Sequence, residues 1–170
     1  RCLRDNAGGA RHLAETCSRY GIKLLTFSTD LVFDGLRTSP YLESHSVAPL
    51  NVYGRSKAEA ERVVSQTMPS ALIVRTSAFF GPWDSANFVA YVLRSLGQGR
   101  HVRTADLVVS PTYVPDLVQA SLDLLIDDEQ GLWHISNQGA VSWYEFARTA
   151  AGMASLDPSL IEPCEPSVLG

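Results

Sequence analysis

The chain has 170 residues, 45% of them hydrophobic, which suits one globular domain with a buried core. Its 14 Lys and Arg against 18 Asp and Glu give a net charge of -4, which offers no attraction to nucleic acid or to an anionic membrane. No apolar run approaches the roughly 20 residues that span a bilayer, and the opening Arg-Cys-Leu-Arg does not resemble a secretory signal, so a cytoplasmic protein is expected.

Residues 6–20 read as a helix with Asn6 as N-cap, Gly21 as stop, and Leu13, Cys17 and Tyr20 on one face. Residues 22–28 read as a buried parallel strand that places Thr29 at its carboxyl end, and residues 34–50 as a long polar loop. A helix over 52–66, a strand over 71–76 and helices over 86–96 and 115–126 follow. Residues 133–136 read as a third strand, and Ser142 with Glu145 as a capping box that starts a helix to Ala151. The tail from Asp157 to Pro166 and beyond has no period and is expected to be a loop with at most one short turn or strand.

This alternation predicts an α/β fold with an open, mostly parallel sheet, yet only about three strands are evident where five or six are usual. A glycine-rich dinucleotide loop would follow the first strand of such a sheet, and Gly8-Gly9 lies inside a helix start instead. The expectation is a single incomplete domain. Residues 1–76 form the second half of a Rossmann-like core, and 77–170 mainly a substrate lobe.

Tyr53 and Lys57 stand four apart on one helical face, where an ammonium favours the phenolate and brings a phenol of pKa about 10 into use near neutrality. Thr29 sits at a strand end, where open α/β sheets gather ligands, and its hydroxyl can hold a carbonyl oxygen beside Tyr53. The set suits carbonyl reduction. A Tyr and a Lys at this spacing also occur by chance, with Lys57 merely pairing Glu61, so order and context carry the reading.

That context resembles the extended short-chain dehydrogenase/reductases, within them the dTDP-4-dehydrorhamnose reductase family. Residues 28–35, Ser-Thr-Asp-Leu-Val-Phe-Asp-Gly, are similar to its STDYVFDG, and Pro49-Leu-Asn-Val-Tyr53-Gly-Arg-Ser-Lys57 to its PxNVYGxSK. Arg75-Thr76-Ser77, Asn87-Phe88 and Ser110-Pro111-Thr112 continue the resemblance in order. It implies reduction of the 4-keto group of a dTDP-linked deoxysugar by NADPH or NADH. Tyr53 would be the proton donor, and Thr29 would orient the keto oxygen. Lys57 would hold the nicotinamide ribose and depress the Tyr53 pKa. Ser28 and Ser77 join Tyr53 and Lys57 as cofactor positions, and Asp30, Val32, Asn87 and Thr112 match sugar-nucleotide positions.

The resemblance further implies a C-terminal part with its substrate-binding lobe, inactive by itself, whose partners are the dTDP-sugar and a missing N-terminal cofactor-binding half. A homodimer is a further expectation, and the exposed sheet edge would favour self-association. Leu31 and Ala78 replace a Tyr and a Trp frequent in the family, which removes a hydroxyl and a stacking face from the expected pocket. A non-catalytic binding or regulatory module and a sugar-nucleotide epimerase are the alternatives; retained Thr29, Tyr53 and Lys57 count against the first, the motif wording against the second.

Among other residues, Arg75 could grip a phosphate or form a structural ion pair and is left off the site. Phe79, Phe80 and Trp83 could flank a base or pack a loop. The histidines His12, His45, His101 and His134 lack ligand spacing and Cys2, Cys17 and Cys164 lack a CxxC or an even disulfide set, so free thiols and no metal are expected. Residues 54–58 miss the GxSxG elbow of hydrolases.

Overall fold

A computed structural model describes residues 1–165; the part of the tail call that falls on Pro166 lies outside them. In chain order, a π-turn over Arg4–Gly8 leads into α1 (Gly9–Tyr20), then β1 (Leu25–Thr29), a 3-10 turn over Asp30–Val32, α2 (Val52–Thr67), β2 (Leu72–Thr76) and β3 (Phe79–Phe80). There follow α3 (Phe88–Gly97), β4 (Val102–Ala105), β5 (Val108–Val109), β6 (Thr112–Tyr113), α4 (Val114–Ile126) and β7 (Gly131–His134). β8 (Val141–Ser142), α5 (Trp143–Met153), a 3-10 turn over Pro158–Leu160 and β9 (Ile161–Cys164) complete it.

The chain divides into two compact units, Arg1–Thr76 with Val118–Ile135, and Ser77–Leu117 with the residues from Ser136 onward. The first segment of the first unit ends at Thr76. Residues 118–135 return to the first unit because β7 pairs β2, a non-local contact that no local pattern encodes.

In the first unit β1, β2 and β7 form a parallel sheet in that order, with Leu25 opposite Leu72 and Thr29 opposite Thr76. β2 is the middle strand, and Leu72 to Thr76 are all buried, the uniform burial a central parallel strand requires. Ala14, Val64, Met68, Ala71 and Ile73 form the core between α1, α2 and the sheet. α1 therefore buries its small residues: Ala14 is fully buried, whereas Leu13 and Tyr20 are exposed, contrary to the face expected. Close helix packing selects alanine at the contact, which inverts a reading based on side-chain size.

Asn6 is not an N-cap either, since the helix begins upstream of it and its side chain turns to α2. Gly21 does end α1, at φ 64 in the left-handed region, with its N–H on the Cys17 carbonyl. The third strand lies two residues earlier than expected, opening at Gly131 opposite Leu72.

The second unit has three two-stranded pairs, β3 with β6 and β4 with β9 in parallel, β5 with β8 antiparallel. Its core joins Val92, Leu96, Val102, Ala147, Ala151 and Ile161. Ser142 caps α5 through the Glu145 N–H at 3.2 Å, as its sequence signature predicts. The tail contributes a turn and β9. Among the described residues no helix is long and apolar enough to cross a membrane.

Candidate active site

β1 delivers Ser28 and Thr29, both buried, to the carboxyl end of the sheet. Ser28 Oγ has no hydrogen-bond partner among the described residues, an uncommon state for a buried hydroxyl. The Thr29 hydroxyl accepts the Leu31 N–H at 3.2 Å, which caps the 3-10 turn, and donates to Asp30 Oδ1 at 3.1 Å. The strand end and the turn after it thus carry an unpaired hydroxyl, a paired hydroxyl and a carboxylate in succession.

α2 is fastened to that end by its first turn. Asn51 Oδ1 accepts the Gly54 N–H at 2.7 Å and so caps the helix. A Cβ on Gly54 would lie 2.1 Å from the Leu31 carbonyl oxygen and 3.0 Å from Pro49 Cβ. Only glycine permits this approach, and the approach sets Tyr53 beside the turn that Thr29 and Asp30 open. Behind it, Ser56 donates to the Tyr53 carbonyl at 2.7 Å and accepts from Asn6 Nδ2 at 2.8 Å, with Cys2 Sγ 3.2 Å away. Gly54 and Ser56 are positioning features that the sequence reading does not single out; a glycine between a tyrosine and a serine inside a helical period is the available signal.

The electrostatics differ from the expectation for Tyr53. Burial first, and then the electrostatic influence of Asp30 and Cys2, hold its phenol above the ordinary tyrosine value. Lys57 is half-buried; burial pulls its ammonium below the ordinary lysine value while Glu61 acts the other way. The depression of Tyr53 expected from Lys57 is therefore replaced by elevation, because lost hydration and Asp30 both penalise the phenolate. Tyr53 stands as a neutral phenol, a proton donor, at neutral pH.

Glu61 is taken by Arg75 and not by Lys57. Arg75 Nε donates to Glu61 Oε1 at 2.9 Å and Nη2 to Oε2 at 2.7 Å, both residues buried, with the guanidinium 4.8 Å over the Phe33 ring. Arg75 is thus a structural ion pair, the more ordinary of its two sequence readings. Arg75 Nη1 also lies 3.3 Å from His134 Nε2, and the His134 N–H donates to Glu43 Oε1 at 2.9 Å. Tyr41 stacks on Phe33 with centroids 4.1 Å apart. These contacts strap the long loop across the ends of β2 and β7 and lead it into Asn51.

The strap predicts a pH dependence of stability. Burial first holds His134 below its ordinary 6.5, helped by Arg75 and opposed by Glu43. Glu43 is held below 4.5, chiefly by accepting backbone N–H groups. Both groups bind protons more readily in the unfolded chain, so their contribution is complete above about pH 6.5 and is lost as pH falls through the carboxylate range. The melting temperature is expected to drop from about pH 7 to pH 5, and His134→Gln to flatten the upper part of that drop. Superimposable profiles for the two proteins would refute the strap.

The remaining site positions have other surroundings. Val32 is fully buried and belongs to the core, so its side chain is not a surface a sugar could touch. In the second unit, Ser77 Oγ donates to the Ser110 carbonyl at 3.3 Å, and Ala78, at φ 47, accepts the Thr112 N–H at 3.1 Å through its carbonyl. Thr112 is buried. Asn87 is buried too, with Oδ1 capping α3 at Ala90 N, 2.9 Å, and Nδ2 on the Gly81 carbonyl, 2.9 Å. Its amide holds its own loop. Phe80 packs against Tyr113 and Phe146, each at 5.3 Å, while Trp83 is exposed.

A parallel sheet whose strand end carries Ser-Thr-Asp, with Tyr-x-x-x-Lys opening the next helix, defines a Rossmann-like protein of the extended short-chain dehydrogenase/reductase class. Residues 3–168 match the RmlD substrate binding domain, and the chain belongs to that family. It is 38% identical over 164 residues to dTDP-4-dehydrorhamnose reductase of Mycobacterium tuberculosis, covering 93% of this chain and 54% of the relative. It is 37% identical over 163 residues to dTDP-4-keto-6-deoxy-D-glucose reductase of Streptomyces niveus, covering 93% and 55%. The crystal structure of dTDP-4-dehydrorhamnose reductase from Bacillus anthracis in complex with NADP superimposes with a TM-score of 0.92 at 36% identity, over 97% of this chain and 58% of that one. The chain spans about half the length of the relatives it matches.

Proposed function

We propose that this chain supplies the proton-transfer half of an NAD(P)H-dependent reductase that converts the 4-keto group of a dTDP-linked 6-deoxysugar, dTDP-4-dehydrorhamnose, to an alcohol. The observation that carries the reading is the seating of Gly54 on the Leu31 carbonyl, which brings the Tyr53 and Lys57 turn against the Thr29 strand end. The names of the relatives point to the same chemistry, and the Streptomyces niveus protein widens it to a second 4-keto-6-deoxysugar.

The residues fit a nicotinamide cofactor. Ser28 offers a buried, unpaired hydroxyl, and among the described residues no carboxylate stands within salt-bridge distance of Lys57, which leaves its ammonium for ribose hydroxyls. Bound there, the cofactor supplies a hydride. Tyr53, Lys57 and Ser28 would hold it in the first unit, and Ser77, in the second, matches a cofactor position of the family by sequence. The NADP complex of the Bacillus anthracis relative favours NADPH over NADH.

Thr29 turns its hydroxyl from Asp30 to the keto oxygen and orients it. Tyr53 passes its phenolic proton to that oxygen and is reprotonated from solvent. Lys57, one helical turn on from Tyr53, would hold the nicotinamide ribose. Asp30, in the first unit, is a sugar-nucleotide position, and in the second Asn87 and Thr112 order loops that match sugar-nucleotide positions of the family. Val32 does so through the backbone it packs. Leu31, which is exposed, gives an apolar surface where the family often has a phenol.

A cofactor-binding segment would complete the sheet at β1. The order β1-β2-β7 leaves β1 at an edge, Phe27 and Leu13 are exposed, and a groove of about 520 Å³ runs between α1 and β1 with Lys57 in its wall. A cytoplasmic homodimer is the form we expect. The test is loss of the NADPH absorbance band with dTDP-4-dehydrorhamnose, for a protein joining these 170 residues to a GxGxxG-bearing half and for the 170 residues alone. Consumption by the joined protein only is expected. No consumption by either, with cofactor bound, would remove the reductase reading.

A further inference from the structure

Lys57 and Glu61 lie one turn apart on α2, an unbroken helix from Val52 to Thr67, so their side chains are neighbours on one face. The other positions three or four residues from Lys57 are Tyr53, Gly54 and Ala60, which makes Glu61 the carboxylate that α2 offers it. The structure turns that carboxylate away. Both Glu61 oxygens accept from Arg75, at 2.9 and 2.7 Å, and both residues are buried. The guanidinium is itself fixed: Arg75 belongs to the middle strand β2, lies 4.8 Å over the Phe33 ring and has Nη1 3.3 Å from His134 Nε2. Arg75 cannot follow Glu61 outward, so Glu61 comes inward to Arg75.

We propose that Arg75 is a positioning residue for Lys57: by taking both oxygens of Glu61, it withholds the carboxylate that would otherwise neutralise Lys57 and keeps that ammonium available to the hydroxyls of a ligand. Glu61 still acts on Lys57 through space, but burial outweighs it. A direct salt bridge would reverse that balance and occupy the ammonium. That the ligand is a nicotinamide ribose rests on the reductase reading; the separation of Glu61 from Lys57 does not.

Two variants divide this role from a merely structural one. Arg75→Met leaves the Glu61 carboxylate without its partner and free to turn to Lys57, whereas Glu61→Leu with Arg75→Met removes the pair together. Lys23 and Lys57 are the only lysines of the chain, so two labelled ε-methylene signals report them by NMR, with Lys23, paired to Asp128, as the internal reference. In the 170-residue chain without cofactor, Arg75→Met is expected to raise the Lys57 titration midpoint by roughly one pH unit, the effect of an opposite charge brought to contact. The double variant is expected to leave the midpoint close to that of wild type, because a neutral pair replaces a neutral pair. An unmoved midpoint in a folded Arg75→Met overturns the proposal, and so does a fall of about one unit in the double variant, which would mean that Glu61 already faces Lys57 in the wild-type chain. Should Arg75→Met not fold, the double variant decides alone. In the joined protein, NADPH binding followed by cofactor fluorescence is expected to weaken about tenfold in Arg75→Met, the weight of one hydrogen bond to a charged group, and to recover in the double variant. Equal loss in both variants would reduce Arg75 to a structural role and overturn the proposal. Binding unchanged in both, with the Lys57 midpoint raised in Arg75→Met, would uphold the separation and remove the nicotinamide reading of Lys57.

Discussion

Glu61→Ala is expected to destabilise the chain by about 3 to 5 kcal/mol, the cost of leaving a buried cation without its partner. Arg75 has 5% of its side chain exposed and Glu61 10%, and the two make a paired set of hydrogen bonds. Removing the carboxylate strands the guanidinium in the centre of the sheet, between Phe33 and a His134 imidazole held largely neutral. A domain of this size loses roughly 2 to 4 °C of melting temperature per kcal/mol, so thermal unfolding followed by circular dichroism should shift by roughly 6 to 20 °C. Glu61→Gln keeps the shape and one hydrogen bond and should fall between. Replacing both partners with apolar residues, Glu61→Leu with Arg75→Met, should recover much of the loss. A Glu61→Ala protein as stable as wild type would mean that the pair is solvated.

Gly54→Ala is the second large effect, and its sign is diagnostic. In a helix interior alanine is better than glycine by about 1 kcal/mol, so helix propensity alone predicts stabilisation. Here the new methyl group would meet the Leu31 carbonyl oxygen at 2.1 Å, backbone against backbone, with no flexible side chain to give way. The expected result is a loss of about 3 kcal/mol, at the upper end of overpacking costs, as α2 moves off the 3-10 turn. Gly152→Ala is the control, since nothing lies within 4 Å of its added Cβ in α5, and it should be neutral or stabilising. The shift of α2 would also carry Tyr53 from Thr29, so the joined protein should lose turnover beyond its loss of stability. A stabilised Gly54→Ala would contradict the docking that builds the site.

The core of the fold was legible because its signals are local. An apolar run ending in a polar cluster marked β1, an apolar run marked β2, and Ser142 and Gly21 marked helix ends by chemistry that acts within a turn. What escaped was set by distant partners. The strands Phe79–Phe80, Val108–Val109 and Thr112–Tyr113 are two residues each and exist only because another segment pairs them. β9 lies in a proline-containing tail with no period, and is a strand because β4 runs beside it. The inward face of α1 was misjudged for a related reason: contact with α2 demands alanine, and the larger apolar residues face outward.

The site divides along the same line. Thr29, Asp30, Tyr53 and Lys57 were readable from order and spacing, and the first unit brings their turns together. The direction in which Tyr53 is shifted was not, because burial and the Asp30 charge arise only once α2 is seated on the turn. Asn87 and Val32 match family positions by sequence, yet one caps a helix and the other fills the core. A motif match names a place in the chain and leaves open which atoms are free.

The most direct measurement is single-turnover reduction of dTDP-4-dehydrorhamnose by the joined protein carrying Tyr53→Phe, with NADPH binding followed in parallel by cofactor fluorescence. The account predicts retained cofactor binding and turnover reduced by about 100-fold or more, the weight of a positioned general acid. Wild-type turnover by Tyr53→Phe would show that the proton comes from elsewhere and would contradict the site as described.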